Sequence, residues 1–239
     1  MVRESFDIEF IVTILPKLFK AVPLTLEMSA ASILLGCLAG LLLAYIKVSG
    51  PKALKTVINT LTTLLRTIPD VVLLYVVYFG LPIFVEKAFG ISLGSWQKQT
   101  FVIPALGTGM SATASEMFRS AYNSLEKGQL EAAHAIGMTG WQRFRRIIFP
   151  QGLFVILPNL AGACLAITQA TALAYTLGIM DITGKARILD TNAGNLKTFE
   201  SYLAVALLYW GISFLISGIF KGLEAKFGKG LRTLATTTK

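Results

Sequence analysis

Residues 153–180 run for 28 positions without one charged side chain. A helix needs about 20 mostly apolar residues to cross the hydrocarbon core of a bilayer, because each backbone polar group must be satisfied inside the segment. Four further stretches have this character. Residues 21–46 hold one charge, Glu27; residues 56–85 are interrupted by Arg66, Pro69 and Asp70; residues 100–122 turn polar near Glu116 and Arg119; residues 201–220 are uncharged. The sequence therefore predicts an all-α integral membrane protein with five transmembrane helices. Only 15% of the chain is charged and 54% is hydrophobic, against about 25% charged for a soluble domain.

The net charge of +9 does not point to nucleic acid, since the basic residues flank apolar spans and make no single basic face. Their distribution instead gives direction, because Lys and Arg accumulate on the cytoplasmic side. One set of loops carries thirteen of them: Lys47, Lys52 and Lys55, then Arg119, Lys127, Arg143, Arg145 and Arg146, then Lys221, Lys226, Lys229, Arg232 and Lys239. The opposite set carries eight, offset by Glu4, Asp7, Glu9, Glu86, Asp181, Asp190 and Glu200. The N-terminus is thus expected outside and the C-terminus in the cytoplasm. Residues 1–20 read as an extracytoplasmic interfacial segment, residues 21–222 as the transmembrane domain, and residues 223–239 as a cytoplasmic basic tail. No cleavable signal peptide is expected, since acids and a base precede the first apolar stretch. Cys37 and Cys164 sit in apolar runs without Cys-x-x-Cys spacing and beside a single histidine, His134. They read as packing residues, with no metal site.

The longest loop, residues 123–149, is the most informative. Residues 125–137 read as a short alanine-rich helix closed by Gly137 in the left-handed conformation. Thr139 and Gln142 have capping-box spacing for the next helix, which carries Arg143, Arg145 and Arg146 and leads through Pro150-Gln151 into the fourth span. On pattern alone this is either an amphipathic connection or a docking element.

Gly128-Gln129-Leu130-Glu131-Ala132-Ala133-x-Ala135-x-Gly137, continuing to Gln142-x-Phe144-x-x-Ile147-x-x-Pro150-Gln151, resembles the EAA loop of ABC-importer permeases. It is most similar to the polar amino acid permease family, which includes histidine, glutamine, arginine and cystine transporters. Arg66-Thr67-Ile68-Pro69 resembles that family's Arg-Gly-Thr-Pro, Tyr78-Phe79-Gly80-Leu81-Pro82 its following run, and Ser115-Glu116-Met117-Phe118-Arg119 its Ala-Glu-Ile-x-Arg. The resemblance extends over residues 24–220.

The resemblance implies a type I importer permease whose loop helix is a cytoplasmic coupling helix. Gln129, Glu131, Ala132, Ala133, Ala135 and Gly137 would meet the ATPase. It implies two ATP-binding cassette subunits, a second permease subunit (a copy or a close relative) and an extracytoplasmic amino acid-binding protein, all at a bacterial plasma membrane and its lipid, with no nucleic acid. Independently, the chain holds no Gly-x-x-x-x-Gly-Lys-[Ser/Thr] phosphate loop, and Gly228-Lys229-Gly230 is not one. No cofactor is therefore expected on this chain, which reads as a transport subunit and not an enzyme; ATP and Mg would bind the partners. The alternative is a secondary transporter or channel acting without an ATPase, against which stand the small number of spans and the lack of an evident inverted repeat.

Ionisable residues inside spans are costly and suggest a pathway. Arg66 lies ~16 Å along a helix from Lys55, and Asp70 follows at a spacing where the two side chains can meet. They read either as an ion pair pinning a kinked helix or as groups lining the pathway with Thr67. Leucine and glycine commonly stand in the family at the positions of Asp70 and Thr67. In the fourth span, Thr168-Gln169-Ala170-Thr171-Ala172-Leu173 replaces the family's Lys-Asp-Thr-Ser-Leu, leaving Gln169 and Thr171 to line the pathway or to join helices. Glu27 reads as snorkelling to the outer interface. Tyr78, Phe79, Tyr209 and Trp210 read as packing or lipid-facing groups.

Overall fold

The computed structural model describes residues 6–236, with side chains described as far as Phe227. Among the described residues every regular element is helical, as the apolar runs predict. Helix α1 spans Ile8–Phe19, α2 Val22–Ser49, α3 Lys52–Thr67, α4 Asp70–Phe89, α5 Gln99–Asn123, α6 Lys127–Ala135 and α7 Gly140–Arg143. A π-helical turn, Phe144–Ile148, leads into α8, Phe149–Ala170, whose end tightens into a 3₁₀ segment, Thr171–Leu177. Helices α9, Ile182–Asn192, and α10, Thr198–Thr236, complete the chain.

Four helical stretches among the described residues are long and apolar enough to cross a membrane: Val22–Ser49, Asp70–Phe89, Gly140–Leu177 and Thr198–Phe227. The expectation of five spans is compatible with this count and changes in two details. The second expected span, residues 56–85, is not one kinked helix. The backbone is extended at Ile68 (φ −78°, ψ 126°) and Pro69 (φ −59°, ψ 140°), because proline disfavours helical geometry in the residue before it. Only α4 is then long and apolar enough. Helix α5 has the length, 25 residues, but Thr108, Ser111, Thr113, Ser115 and Glu116 lower its hydropathy.

Its position explains why α5 can be polar. Eleven of its residues are buried, and it contacts α2, α3, α4, α8 and the 3₁₀ segment. Against α2 the approach is close enough that only glycine fits. A Cβ on Gly40 would stand 2.6 Å from Ala114 Cβ, and one on Gly36 would overlap Met110. Gly36 and Gly40 form the small-xxx-small spacing by which membrane helices bring their backbones together. Ser29 and Thr168 add a buried hydroxyl–hydroxyl bond of 2.7 Å between α2 and α8. Met28, Leu74, Leu106, Met110 and Ile167 fill the core around this contact. Cys37 and Cys164 are free thiols within the bundle.

A second core lies under α1. Ile11, Ile14 and Leu18 face Ile182 and Ala186 of α9 and Ala204, Val205 and Ile212 of α10. Asp7 caps α1 by accepting from the Phe10 N–H at 2.9 Å and pairs with Lys197 at 3.2 Å; the Phe10 bond and this ammonium hold its carboxyl below the usual range. The expected interfacial segment is thus seated on the protein by one face, while Ile8, Val12 and Phe19 stay exposed on the other. Of the expected basic tail, the backbone to Thr236 continues α10, while Lys229, Arg232 and Lys239 lie outside the described side chains.

Adding one methyl group at Gly40 tests the α2–α5 contact. Gly40→Ala should lower the stability of the detergent-solubilised protein by about 1–3 kcal/mol, the usual cost of overpacking. Gly218→Ala, where a Cβ would meet open space, should leave the thermal midpoint unchanged or raise it.

Candidate functional site

The break between α3 and α4 opens onto a cavity of about 310 Å³ whose walls include Arg66, Asp70, Gly109, Met110, Thr113 and Ile167. This is at the lower end of the roughly 300–1,000 Å³ typical of small-molecule sites. Arg66 stands in the last turn of α3 and Asp70 in the first turn of α4. Each charge therefore sits at the helix end whose dipole favours it, a cation at a C-terminus and an anion at an N-terminus. Among the described residues no ion pair joins them, which removes the reading of a pinned kink. Both side chains are exposed and present opposite charges to one space.

The other pathway candidates fall elsewhere. Thr67 turns back to donate to the Leu64 carbonyl at 2.7 Å, and Gln169 is exposed away from the cavity walls. Thr171 is fully buried and donates to the Thr168 carbonyl at 2.7 Å. The helix-joining role suggested for this run belongs to Thr168, through Ser29. Gly109, Met110 and Thr113 were missed as cavity residues. The signal for them was the small and hydroxyl-bearing run from Gly107 to Ser115, unsuited to lipid and suited to a helix enclosed by others. Glu27 is exposed on the second turn of α2.

Beyond the C-terminal end of α5 the loop forms the element its sequence predicts. Helix α6 ends with Gly137 at φ +76°. The Gly137 N–H bonds to the His134 carbonyl and the Met138 N–H to the Ala133 carbonyl, both at 3.0 Å, the two bonds of a Schellman closure. The Thr139–Gln142 capping box is complete: Gln142 Oε1 accepts from the Thr139 N–H at 2.8 Å, and Thr139 Oγ1 accepts from the Gln142 N–H at 3.3 Å. From there a helix runs unbroken from Gly140 to Leu177; where Pro150 interrupts the regular bonding, the Phe149 N–H reaches back to the Phe144 carbonyl in a π-turn.

Of the six loop residues singled out from sequence, Gln129, Glu131, Ala132, Ala135 and Gly137 are exposed, whereas Ala133 is buried at 3% and faces its own chain. Gln129 is also tied inward, its Oε1 accepting from Gln151 Nε2 at 2.8 Å. Sequence reasoning missed the two most prominent apolar groups of this surface, Ile136 (78% exposed) and Trp141 (68% exposed). Trp141 stacks on Phe144 with centroids 5.6 Å apart, so its indole is presented in one orientation.

Asp181 is fully buried at the start of α9. Its carboxylate accepts from the Gly184 N–H at 2.8 Å and from the Tyr209 hydroxyl at 3.4 Å, which gives Tyr209 a polar role beyond packing. Burial pushes the Asp181 carboxyl up to about 6, more than these hydrogen bonds pull it down.

The comparisons with known proteins agree with this architecture. Residues 32–229 match the family described as binding-protein-dependent transport system inner membrane component, and the chain belongs to that family. It is a multi-pass membrane permease subunit of the amino acid ABC transporter kind. Among its relatives are the "Probable amino-acid permease protein YxeN" of Bacillus subtilis, 34% identical with 96% of this chain and 99% of that one covered. The L-cystine transport system permease protein TcyL of the same organism is 28% identical, covering 98% and 97%. The histidine/lysine/arginine/ornithine permease protein HisQ of Salmonella typhimurium is 33% identical, covering 87% and 92%. Among solved structures, a chain of an amino acid ABC transporter crystallised with histidines superposes with a TM-score of 0.78 at 26% identity, covering 93% of this chain and all of that one.

The elevated Asp181 carboxyl predicts a pH dependence of definite sign. Between 3.8, its ordinary value, and about 6, the folded chain binds this proton and the unfolded chain does not. Stability should therefore fall as pH rises through that window. Asp181→Asn keeps an acceptor for the Gly184 N–H and should remove this contribution, so the wild-type minus variant difference in thermal midpoint should decline with rising pH and level off above it.

Proposed function

We propose that this chain is the transmembrane subunit of an ATP-driven importer that carries a polar amino acid across the bacterial plasma membrane. In this reading it pairs with a second permease subunit, either a copy or a close relative. Two ATP-binding cassette subunits bind ATP and Mg and dock on the coupling helices, and an extracytoplasmic binding protein delivers the amino acid. The N-terminus lies outside and the C-terminus in the cytoplasm, in keeping with the excess of Lys and Arg in the set of loops to which α6 belongs.

The observation that carries the proposal is helix α6 itself. A short helix closed at its C-terminal end by Gly137, with Glu131, Ala132 and Ala135 exposed and the apolar tips Ile136 and Trp141 beside it, is built for contact. Buried apolar and aromatic anchors dominate protein interfaces. Closure of the ATPase pair on ATP would displace this helix as a rigid body and shift the membrane helices between inward- and outward-open forms.

In the cavity, Arg66 supplies a partner for an α-carboxylate and Asp70 one for an α-ammonium, the two groups every free amino acid carries. The end-to-end helix termini at 67–70 reinforce both. The names of TcyL and HisQ favour cystine or another polar amino acid as cargo, with most of the selection residing in the binding protein.

Two measurements test this. Gly137→Val forces a β-branched residue into a left-handed conformation where a Cβ itself would meet no neighbour, so the damage is confined to the turn. The variant should insert in the membrane and lose transport-coupled ATP hydrolysis; normal stimulation by loaded binding protein would exclude the coupling role, and purified complex lacking ATPase subunits would favour a stand-alone carrier. Arg66→Gln and Asp70→Asn should each reduce uptake by about tenfold or more, the loss of one charge-assisted hydrogen bond of roughly 1.5–3 kcal/mol, with basal ATPase activity unchanged.

A further inference from the structure

Lys47 was counted from sequence among the loop cations that set the orientation, yet its side chain is fully buried. It lies in the last turn of α2, where its ammonium donates to Thr62 Oγ1 of α3 at 2.8 Å, to Ser115 Oγ of α5 at 2.9 Å and to Glu116 Oε1 of α5. An ammonium has three N–H bonds, and all three are used. Both hydroxyls that accept from it pass their own protons to their own helix: Ser115 donates to the Ala112 carbonyl at 2.8 Å and Thr62 to the Ile58 carbonyl at 2.9 Å. The second Glu116 oxygen is held by Arg119 through Nε at 2.9 Å and a terminal nitrogen at 2.7 Å. Every side-chain polar atom of Lys47, Thr62, Ser115 and Glu116 has a partner, and three helices meet on one cation.

Its placement along those helices is informative. On α5, Ser115 follows Thr113, a wall of the cavity, by two residues, and α6 begins eight residues beyond Arg119. On α3, Thr62 is one turn before Arg66, at the spacing that puts both on one face. Lys47 therefore stands between the coupling helix and the charged wall of the cavity. We propose that Lys47 is a positioning residue that locks α3 to α5 in one register, so that displacement of α5 by the coupling helix carries Arg66 with it.

Burial of an ion pair stabilises a protein little compared with apolar packing of the same volume; its attested advantage is in fixing register. A methionine at position 47 would hold the helices together through contacts that tolerate sliding. Three directed N–H···O bonds do not. This inference rests on the importer reading above, since it needs α6 to be driven by an ATPase.

The test uses the complete complex with its ATPase subunits and binding protein in proteoliposomes, reading amino acid uptake and ATP hydrolysis together. Lys47→Met/Glu116→Gln removes both charges at once and so avoids a stranded buried ion, while Thr62→Val keeps the Lys47–Glu116 pair and cuts only the tie to α3. Both should assemble with ATPase subunits in normal yield and keep basal hydrolysis. Both should transport fewer amino acids per ATP by about tenfold, within the range of a 1–3 kcal/mol coupling energy. An unchanged ratio of uptake to hydrolysis in Thr62→Val overturns the proposal while leaving the importer reading intact. So does a parallel loss of both activities together with thermal stability, which marks a merely structural node. Absence of ATPase subunits from the unaltered complex removes the importer reading, and this inference falls with it.

Discussion

The backbone contact between α2 and α5 organises the molecule. In a bilayer the apolar side chains of a helix gain little by leaving lipid for one another, so association depends on how closely backbones can approach and on what hydrogen bonds form between them. Gly36 and Gly40 give α2 a flat surface against Met110 and Ala114, and α5 is enclosed as a result. Enclosure is what permits a helix rich in Thr and Ser to exist there. From that position α5 contributes a wall to the cavity through Gly109 and Thr113, meets Lys47 through Ser115 and Glu116, and hands the chain on to α6. One helix connects the cavity with the loop.

The charged groups of the bundle fall into two physical classes. Arg66 and Asp70 are exposed and carry no mutual ion pair; the adjoining helix dipoles favour each by about 0.3–1 kcal/mol, and both remain available to a solute. Lys47 has the opposite character, with every donor committed and no access to water. An exposed charge at a helix end can change partners at small cost. A buried one with a complete shell cannot, since losing a single partner leaves a desolvated ion. The same chemistry thus leaves unpaired charges open in one place and a fully partnered charge in another.

Much of this was legible in the sequence because the features are local. The Gly137 turn and the Thr139–Gln142 box depend on residues within a few positions, and both formed as their spacing requires. Apolar runs located both ends of α2 and α5 to within three residues. What escaped was set by the third dimension. Ala133 shares its run with exposed alanines and differs only in which side of a short helix it occupies. Lys47 looked like any basic residue after an apolar span, and its burial follows from α3 folding back over it. Pro69 marked a disturbance, but whether a proline kinks a helix or ends it depends on the neighbours that can take up the freed backbone groups. Thr171 and Thr168, three residues apart, could not be ranked until α2 supplied Ser29.

The unbroken helix from Gly140 to Leu177 has a mechanical consequence. Its 38 residues make a rod of about 55 Å at 1.5 Å per residue, with the indole of Trp141 near one tip and the 3₁₀ segment at the other. Such a rod converts a sideways push at its Trp141 tip into a swing at the far tip, scaled by where the fulcrum lies. The buried Ser29–Thr168 bond sits close to the far tip, so a fulcrum there would make the Trp141 arm the long one. Large travel at the Trp141 tip would then be geared down to small, forceful travel at the 3₁₀ end.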